Sequence, residues 1–247
     1  MEQFKVFRAI GLSFKAWFAN FIPFTLLAGI LYAPALYKAW TIPSVTDLDS
    51  LNNWVKQFQY TVWLVVGFST LLAPLLTYRV IQYMNGSKSS FVDSLKHGVR
   101  GVIPAVLLAG VTTVVQMVPF GGIISTIMLC YWFVVAPVAV VERLNPVAEF
   151  GRANQLTQGR RWGIFGLCLL LNLVVIVVTL MYLGPMLAGK VNSMDEIQRT
   201  VDHFVKAIVP LAAVYQMFLG IVQAVSYSLL RADKDGVSNE ELAKVFE

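Results

Sequence analysis

The chain has 247 residues, is 57% hydrophobic and only 13% charged, and carries a net charge of +5. A soluble domain of this size has about a quarter of its residues charged, so composition argues against an ordinary water-soluble globule. The Lys and Arg surplus would suit nucleic acid if it were clustered on a soluble face, but here the charges are segregated from long uncharged stretches.

Those stretches are Phe21–Tyr37, Tyr60–Tyr78, Val102–Val141, Trp162–Gly189 and Ala207–Leu230. A bilayer span needs about 20 apolar residues as a helix, and helical backbone keeps its polar groups satisfied in hydrocarbon. Val102–Val141 is about twice that length and has Pro119-Phe120-Gly121-Gly122 near its middle, so it reads as two helices joined by a tight turn. The expectation is an all-α, polytopic membrane protein with six transmembrane helices.

In chain order, residues 2–20 place Phe4, Phe7, Phe14, Trp17 and Phe18 at helical spacing, with Glu2, Lys5, Arg8 and Lys15 on the other side. This predicts a helix lying in the headgroup layer, aromatic face down. It does not have the short basic region, apolar core and cleavage site of a signal peptide. The first span starts near Phe21, with Pro23 in its first turn, where a missing N–H costs nothing. Pro34, Tyr37 and Trp40 mark its outer end. A short helix over Leu48–Phe58 is expected in the following loop. Pro74 in the second span and Pro137 in the fourth should each bend their helix.

The connection Met84–Gly101 predicts a stripe of Phe91, Leu95, Val99 and Val102, with Asp93, Lys96 and Arg100 off it. The connection Glu142–Arg161 is more polar, with Asn154, Gln155, Thr157 and Gln158. Beyond the fifth span, Met194, Ile197, Val201 and Val205 predict a helix capped by Asn192 or Ser193. The tail reads as a helix capped by Ser238 with Glu241 as its capping-box partner, presenting Leu242, Val245 and Phe246. Its DKDGVSNEEL stretch is not a calcium loop, because Arg231 and Leu242 fall where the first and last ligands belong.

Three stretches share one plan: Phe7–Ile30, Lys88–Val111 and Val147–Leu171. The first two align without a gap, Ser13 with Ser94, Pro23 with Pro104, and Leu26-Leu27-Ala28-Gly29 with Leu107-Leu108-Ala109-Gly110. The third is looser and lacks the proline. Residues 1–247 thus form a single integral membrane domain of pseudo-threefold repeats, each an amphipathic segment plus a hairpin. The units are about 1–84, 85–143 and 144–231, with a short tail at 232–247. Six spans put only Lys38, Lys56, Lys190, Arg199 and Lys206, of nineteen Lys and Arg, on one side. The positive-inside rule then expects both termini in the cytoplasm.

Chemical signatures are sparse. Cys130 and Cys168 fall inside spans without a metal-ligand spacing and read as small apolar packing residues. His97 and His203 are expected on opposite sides of the membrane. No HExxH, Walker or GxSxG motif occurs, so no cofactor, metal or enzymatic activity is expected. The span cores lack the ionisable residues that mark ion paths. Gln116, Asn172, Gln216 and Gln223 read either as interhelical glue or as the lining of a polar cavity. Gly29, Gly110, Gly121, Gly122, Gly163, Gly166 and Gly220 would allow close helix contact. Lys15, Trp17, Arg100, Arg152, Arg160, Arg161 and Trp162 are the candidates for lipid or partner contact. They read first as topological charges and an aromatic belt, with any binding role in addition to that.

The arrangement of basic segment and hairpin, with LNPVAEFGRANQLTQGRRWGIFGL in the middle and SYSLLRADKDGVSNEELAKVF at the end, resembles a broad group of bacterial six-span proteins. These are the membrane domain attached to some glycerophosphodiester phosphodiesterases, and stand-alone relatives of unknown function. The resemblance implies a multi-pass fold in a bacterial inner membrane. It supplies no catalytic residues, since no phosphodiesterase domain accompanies it. The expected function is a non-enzymatic membrane scaffold or lipid- or partner-interacting factor. The alternative is a transporter or channel for a neutral or lipidic substrate. Expected partners are membrane lipids, with a protein partner or a second copy as further candidates, and no nucleic acid.

Overall fold

A computed structural model describes residues 4–42, 48–87, 90–188 and 193–236, and all regular structure among them is helical. The elements are α1 (Val6–Ala19), α2 (Phe21–Thr41), α3 (Leu48–Met84), α4 (Phe91–Gly98), α5 (Val102–Gln116), α6 (Gly121–Trp132), α7 (Val135–Glu142), α8 (Pro146–Thr157), α9 (Arg161–Leu187) and α10 (Met194–Asp235). A single 3₁₀ turn, Val99–Gly101, joins α4 to α5. Six stretches are long and apolar enough to cross a membrane: α2, α3, α4–α5, α6–α7, α9 and α10.

The repeats are visible in the packing. In each hairpin the second span is the more buried: 44, 56 and 50% of the apolar windows of α3, α6–α7 and α10, against 28, 17 and 22% for α2, α4–α5 and α9. Three parallel second spans therefore form an inner ring, with the first spans around it. The core is built from Leu72, Leu76 and Ile81 of α3, Val138, Val140 and Val141 of α7, and Ile221, Val225 and Leu230 of α10. The aligned serines are equivalent in space as well: Ser13 and Ser94 are both buried, and each donates back to a carbonyl one turn earlier, that of Ala9 at 2.7 Å and that of Ser90 at 3.1 Å.

Close approach is concentrated at one place on α3. A Cβ on Gly98 would lie 2.6 Å from Leu75 Cα, one on Gly101 would lie 2.7 Å from Pro74 Cβ, and one on Gly220 would lie 3.0 Å from Ala73 Cα. The second and third repeats thus meet the first at Ala73-Pro74-Leu75 through residues without side chains, as membrane helices do. Of the glycines singled out from the sequence, Gly121 and Gly220 make such approaches, and Gly163 meets Phe4 at ordinary contact distance. Gly29, Gly110, Gly122 and Gly166 face open space.

The two equivalent prolines behave differently. Pro74 is carried inside α3 without interruption. Before Pro137 the helix breaks at Phe133-Val134, one turn upstream, where the proline removes the bond to the Phe133 carbonyl and its ring crowds it. The predicted turn between the third and fourth spans is present. Phe120 has φ 63°, and a Cβ on Gly121 would lie 1.9 Å from the Val115 carbonyl oxygen, so only glycine fits.

The expected helix over Leu48–Phe58 is not a separate element but the start of α3, and the expected helix after Ser193 leads into the sixth span as one helix. They extend α3 and α10 continuously beyond the membrane. At 1.5 Å per residue these helices of 37 and 42 residues run to about 55 and 63 Å, against a hydrocarbon core of about 30 Å. Their overhangs pack together through Val205 and Val209 with Trp54 and Phe58, over Ala35 and Ala39 of α2. Ser193 is the α10 cap, accepting from the Glu196 N–H at 3.2 Å. At the other end α10 continues to Asp235, and Gly236 stops it at φ 66°. The predicted tail helix around Ser238, Glu241, Leu242, Val245 and Phe246 lies outside the described residues.

The amphipathic segments face the opposite way from simple apolar-in patterning. α1 docks on the bundle through Ala9, Ser13 and Ala16, while Phe7, Phe14 and Phe18 are exposed. Of the predicted aromatic face, Phe4 and Trp17 turn into the core, and Phe14 packs on Phe218 with one side still exposed. In the second repeat Ser94 and Gly101 are buried and Val99 is exposed, so the expected stripe is only partly a packing face. Leu95 belongs to it, and the side chain of Phe91 lies outside the described ones. Small residues meet protein and large apolar ones meet lipid, because hydrocarbon is as good a neighbour for Phe as the core is.

Candidate functional site

The basic rim gathers the end of α7, α8, the start of α9 and the end of α10. Arg143 reverses the chain after α7 in the left-handed region, φ 53°, where a non-glycine residue is strained. Asn145 then caps α8 by accepting from the Ala148 N–H at 2.8 Å, and Pro146 takes the first helical position. This fixes α8 across the rim.

From there the arginines of the third repeat turn inward. Arg152 donates Nε to Glu142 Oε2 at 2.8 Å and its second arm to Asp235. Tyr227 donates its hydroxyl to the other Glu142 oxygen at 3.1 Å and accepts from Arg231 at 3.0 Å. Arg160 donates to Asp233 at 3.0 Å. Arg161 donates to Asn154 Oδ1 at 2.6 Å, and its guanidinium lies 3.6 Å from the centre of the Tyr131 ring. Burial by itself disfavours the Arg152 charge, but the carboxylates of Asp235 and Glu142 outweigh it and hold the proton more firmly than usual. Arg152 thus clasps the third repeat to the second through Glu142, and Arg152 and Arg160 together hold the end of α10 through Asp235 and Asp233. They tie α8 and the start of α9 to α7 and α10.

The remaining candidates are dispersed. Lys15 and Arg100 are exposed on different segments, and Trp162 is 86% exposed. Trp17 is half-buried among Phe14, Phe18 and Phe218. Gln116 and Asn172 are exposed, with Asn172 bonding the Cys168 carbonyl of its own helix at 2.8 Å. Gln216 and Gln223 are half-buried on α10. None of the four lines the cavity described next. His203 is exposed, with Nδ1 2.7 Å from the Arg199 carbonyl oxygen. His97, at the opposite end, stacks on Tyr78 at 4.6 Å. Cys130 and Cys168 are buried and free. No metal-binding group of three or more His, Cys, Asp or Glu occurs among the described residues.

One cavity, of about 390 Å³, opens at the rim where α5, α7 and α8 meet. Arg100, Ile103 and Pro104 line it from the start of the third span, Ala139, Arg143 and Leu144 from α7 and its end, and Pro146 and Glu149 from α8. Glu149 is 4% exposed, and its Oε2 has no hydrogen-bond partner. Burial pushes its carboxyl pKa upward. Sequence reasoning passed over this residue. The available signal was its register: Glu149 stands four residues after the Asn145 cap, one beyond the capping-box position, so it has no role in capping. No family model, curated protein or solved structure matches this chain.

Proposed function

We propose that this is a non-enzymatic protein of a bacterial inner membrane, with both termini in the cytoplasm, that engages lipid headgroups of the inner leaflet at its basic rim. One observation carries the reading. The rim holds a cleft lined by Arg100 and Arg143, beside the start of α5 and the end of α7. Cations at that level meet phosphate. The outward Phe7, Phe14, Phe18 and Trp162 support it, since aromatic side chains favour the headgroup layer. The transporter alternative has weaker support, because none of Gln116, Asn172, Gln216 and Gln223 lines the cleft.

Charge reversal tests the reading in two places. Arg100→Glu with Arg143→Glu should lower co-purifying phospholipid several-fold and leave a folded, monodisperse protein. Arg152→Glu with Arg160→Glu should instead lower the melting temperature, because it breaks clasps with Glu142, Asp235 and Asp233. Unchanged lipid in the first pair would remove the basis of the proposal.

A further inference from the structure

We propose that the cleft between α5, α7 and α8 is a binding site for an amine-bearing phosphate group of the phosphoethanolamine type, carried on a membrane lipid. The inference rests on the lipid-engaging reading above and specifies its ligand. Glu149 sits at the inner wall, 4% exposed, with Oε2 accepting no hydrogen bond. An ionised carboxylate only accepts, and it is costly to bury without a donor. Arg100 and Arg143 line the same cleft, and a guanidinium only donates. A complementary ligand therefore presents donors at one end and acceptors at the other.

An ammonium on Glu149 meets the need of its unpartnered Oε2, and a phosphate beside the two guanidinium groups, each with five donor N–H groups, forms charge-assisted bonds at the other end. A trimethylated amine has no N–H to give Glu149, and a glycerol hydroxyl offers a donor without charge. The phosphate end does not use the α8 N-terminus as its site. Pro146 has no N–H, and the N–H groups of Ala148 and Glu149 already bond to Asn145.

The walls favour a lipid over a free headgroup. Ile103 and Pro104 in the cleft open the third span. Ile103, Leu107, Val111 and Val114 recur at helical spacing down its outer face and are all exposed. An acyl chain leaving the cleft would follow this track. The volume of about 390 Å³ lies in the range of small-molecule sites, roughly 300–1,000 Å³.

The test uses the full-length protein, delipidated in detergent and titrated by native mass spectrometry with phosphatidylethanolamine, phosphatidylcholine and phosphatidylglycerol of matched chains. The wild type should bind phosphatidylethanolamine about tenfold more tightly than phosphatidylcholine, the effect of one charge-assisted donor. Glu149→Gln should bring the two within about twofold while still folding. Arg100→Ala with Arg143→Ala should weaken all three lipids. Soluble glycerophosphoethanolamine as competitor separates the sources: displacement only at large excess supports the lipid, and displacement at equal concentration overturns it in favour of the free compound. Equal binding of phosphatidylethanolamine and phosphatidylcholine by the wild type, or an unchanged preference in Glu149→Gln, overturns the inference with no variant needed for the first comparison. Headgroup-blind binding sinks this inference alone, whereas no lipid binding at all also sinks the function proposed above.

Discussion

At the scale of the residue, similar glycines have opposite consequences. Gly98 and Gly101 meet the backbone and Pro74 of α3 at distances no Cβ tolerates. Gly98→Ala or Gly101→Ala should cost about 1–3 kcal/mol, as overpacking does. Gly29 and Gly110 face open space inside helices, so Ala there should be neutral or stabilising by roughly 0.5–1 kcal/mol. Melting of the four variants in one detergent checks both directions. Arg143 offers a second comparison. Because φ is 53°, Arg143→Gly should melt above Arg143→Ala, since alanine retains a left-handed strain of about 1–2 kcal/mol. Both lose the same side chain, so equal melting would contradict the backbone assignment. Glu149 makes a pH prediction. Its folded pKa is raised by burial, so the folded state holds its proton more tightly than the unfolded state does. The wild type keeps its full stability below the unfolded pKa and loses some as pH rises through the folded pKa. Glu149→Gln should therefore melt higher than wild type near pH 8, with the gap closing near pH 4, where an unfolded glutamate is largely protonated.

At the scale of the element, α1 and α8 show two ways of holding a surface helix. α1 is held by shape: Ala9, Ser13 and Ala16 let it approach α10 closely, and Phe14 packs on Phe218 at 4.6 Å. Ala9→Leu should detach it and expose its linker to protease, while Phe7→Ser should leave its docking intact. α8 is held by charge. Arg152→Ala leaves Glu142 without its guanidinium partner, with that carboxylate side chain only 12% exposed, and should cost roughly 1–3 kcal/mol. Lys206→Ala at the other end breaks a pair that is 42% exposed on both sides and should cost under about 1 kcal/mol. The sequence read these segments as amphipathic, and for α1 it also read the aromatic face as turned away from the bundle, as Phe7 and Phe18 are, but it did not show which small residues dock each segment on the protein. A charge pattern distinguishes polar from apolar faces. It does not distinguish two apolar environments, lipid and protein, and for that the sizes of Ala9, Ser13 and Gly101 against Phe7, Phe18 and Val99 were the informative feature.

At the scale of the molecule, six spans, the repeat and the turn at Pro119–Gly122 were legible because they depend on local rules: uncharged length, proline and glycine chemistry, and an ungapped match between Ser13–Gly29 and Ser94–Gly110. The inner ring of second spans was not, because burial of α3, α6–α7 and α10 arises only when three hairpins assemble. The roles of Arg152 and Arg160 were hidden for the same reason, since their partners Asp233 and Asp235 are more than seventy residues away. The cleft also depends on assembly, combining Arg100 from the second repeat with Arg143 and Glu149 from the connection into the third. On the proposed reading this cleft, and not the better-marked Arg160-Arg161 pair, is where the protein meets its ligand. A structure determined in native lipid tests it most directly. The prediction is headgroup density between Arg100, Arg143 and Glu149, with an acyl chain along Ile103, Leu107 and Val111. Ordered lipid elsewhere on the rim, with only water in the cleft, would contradict it.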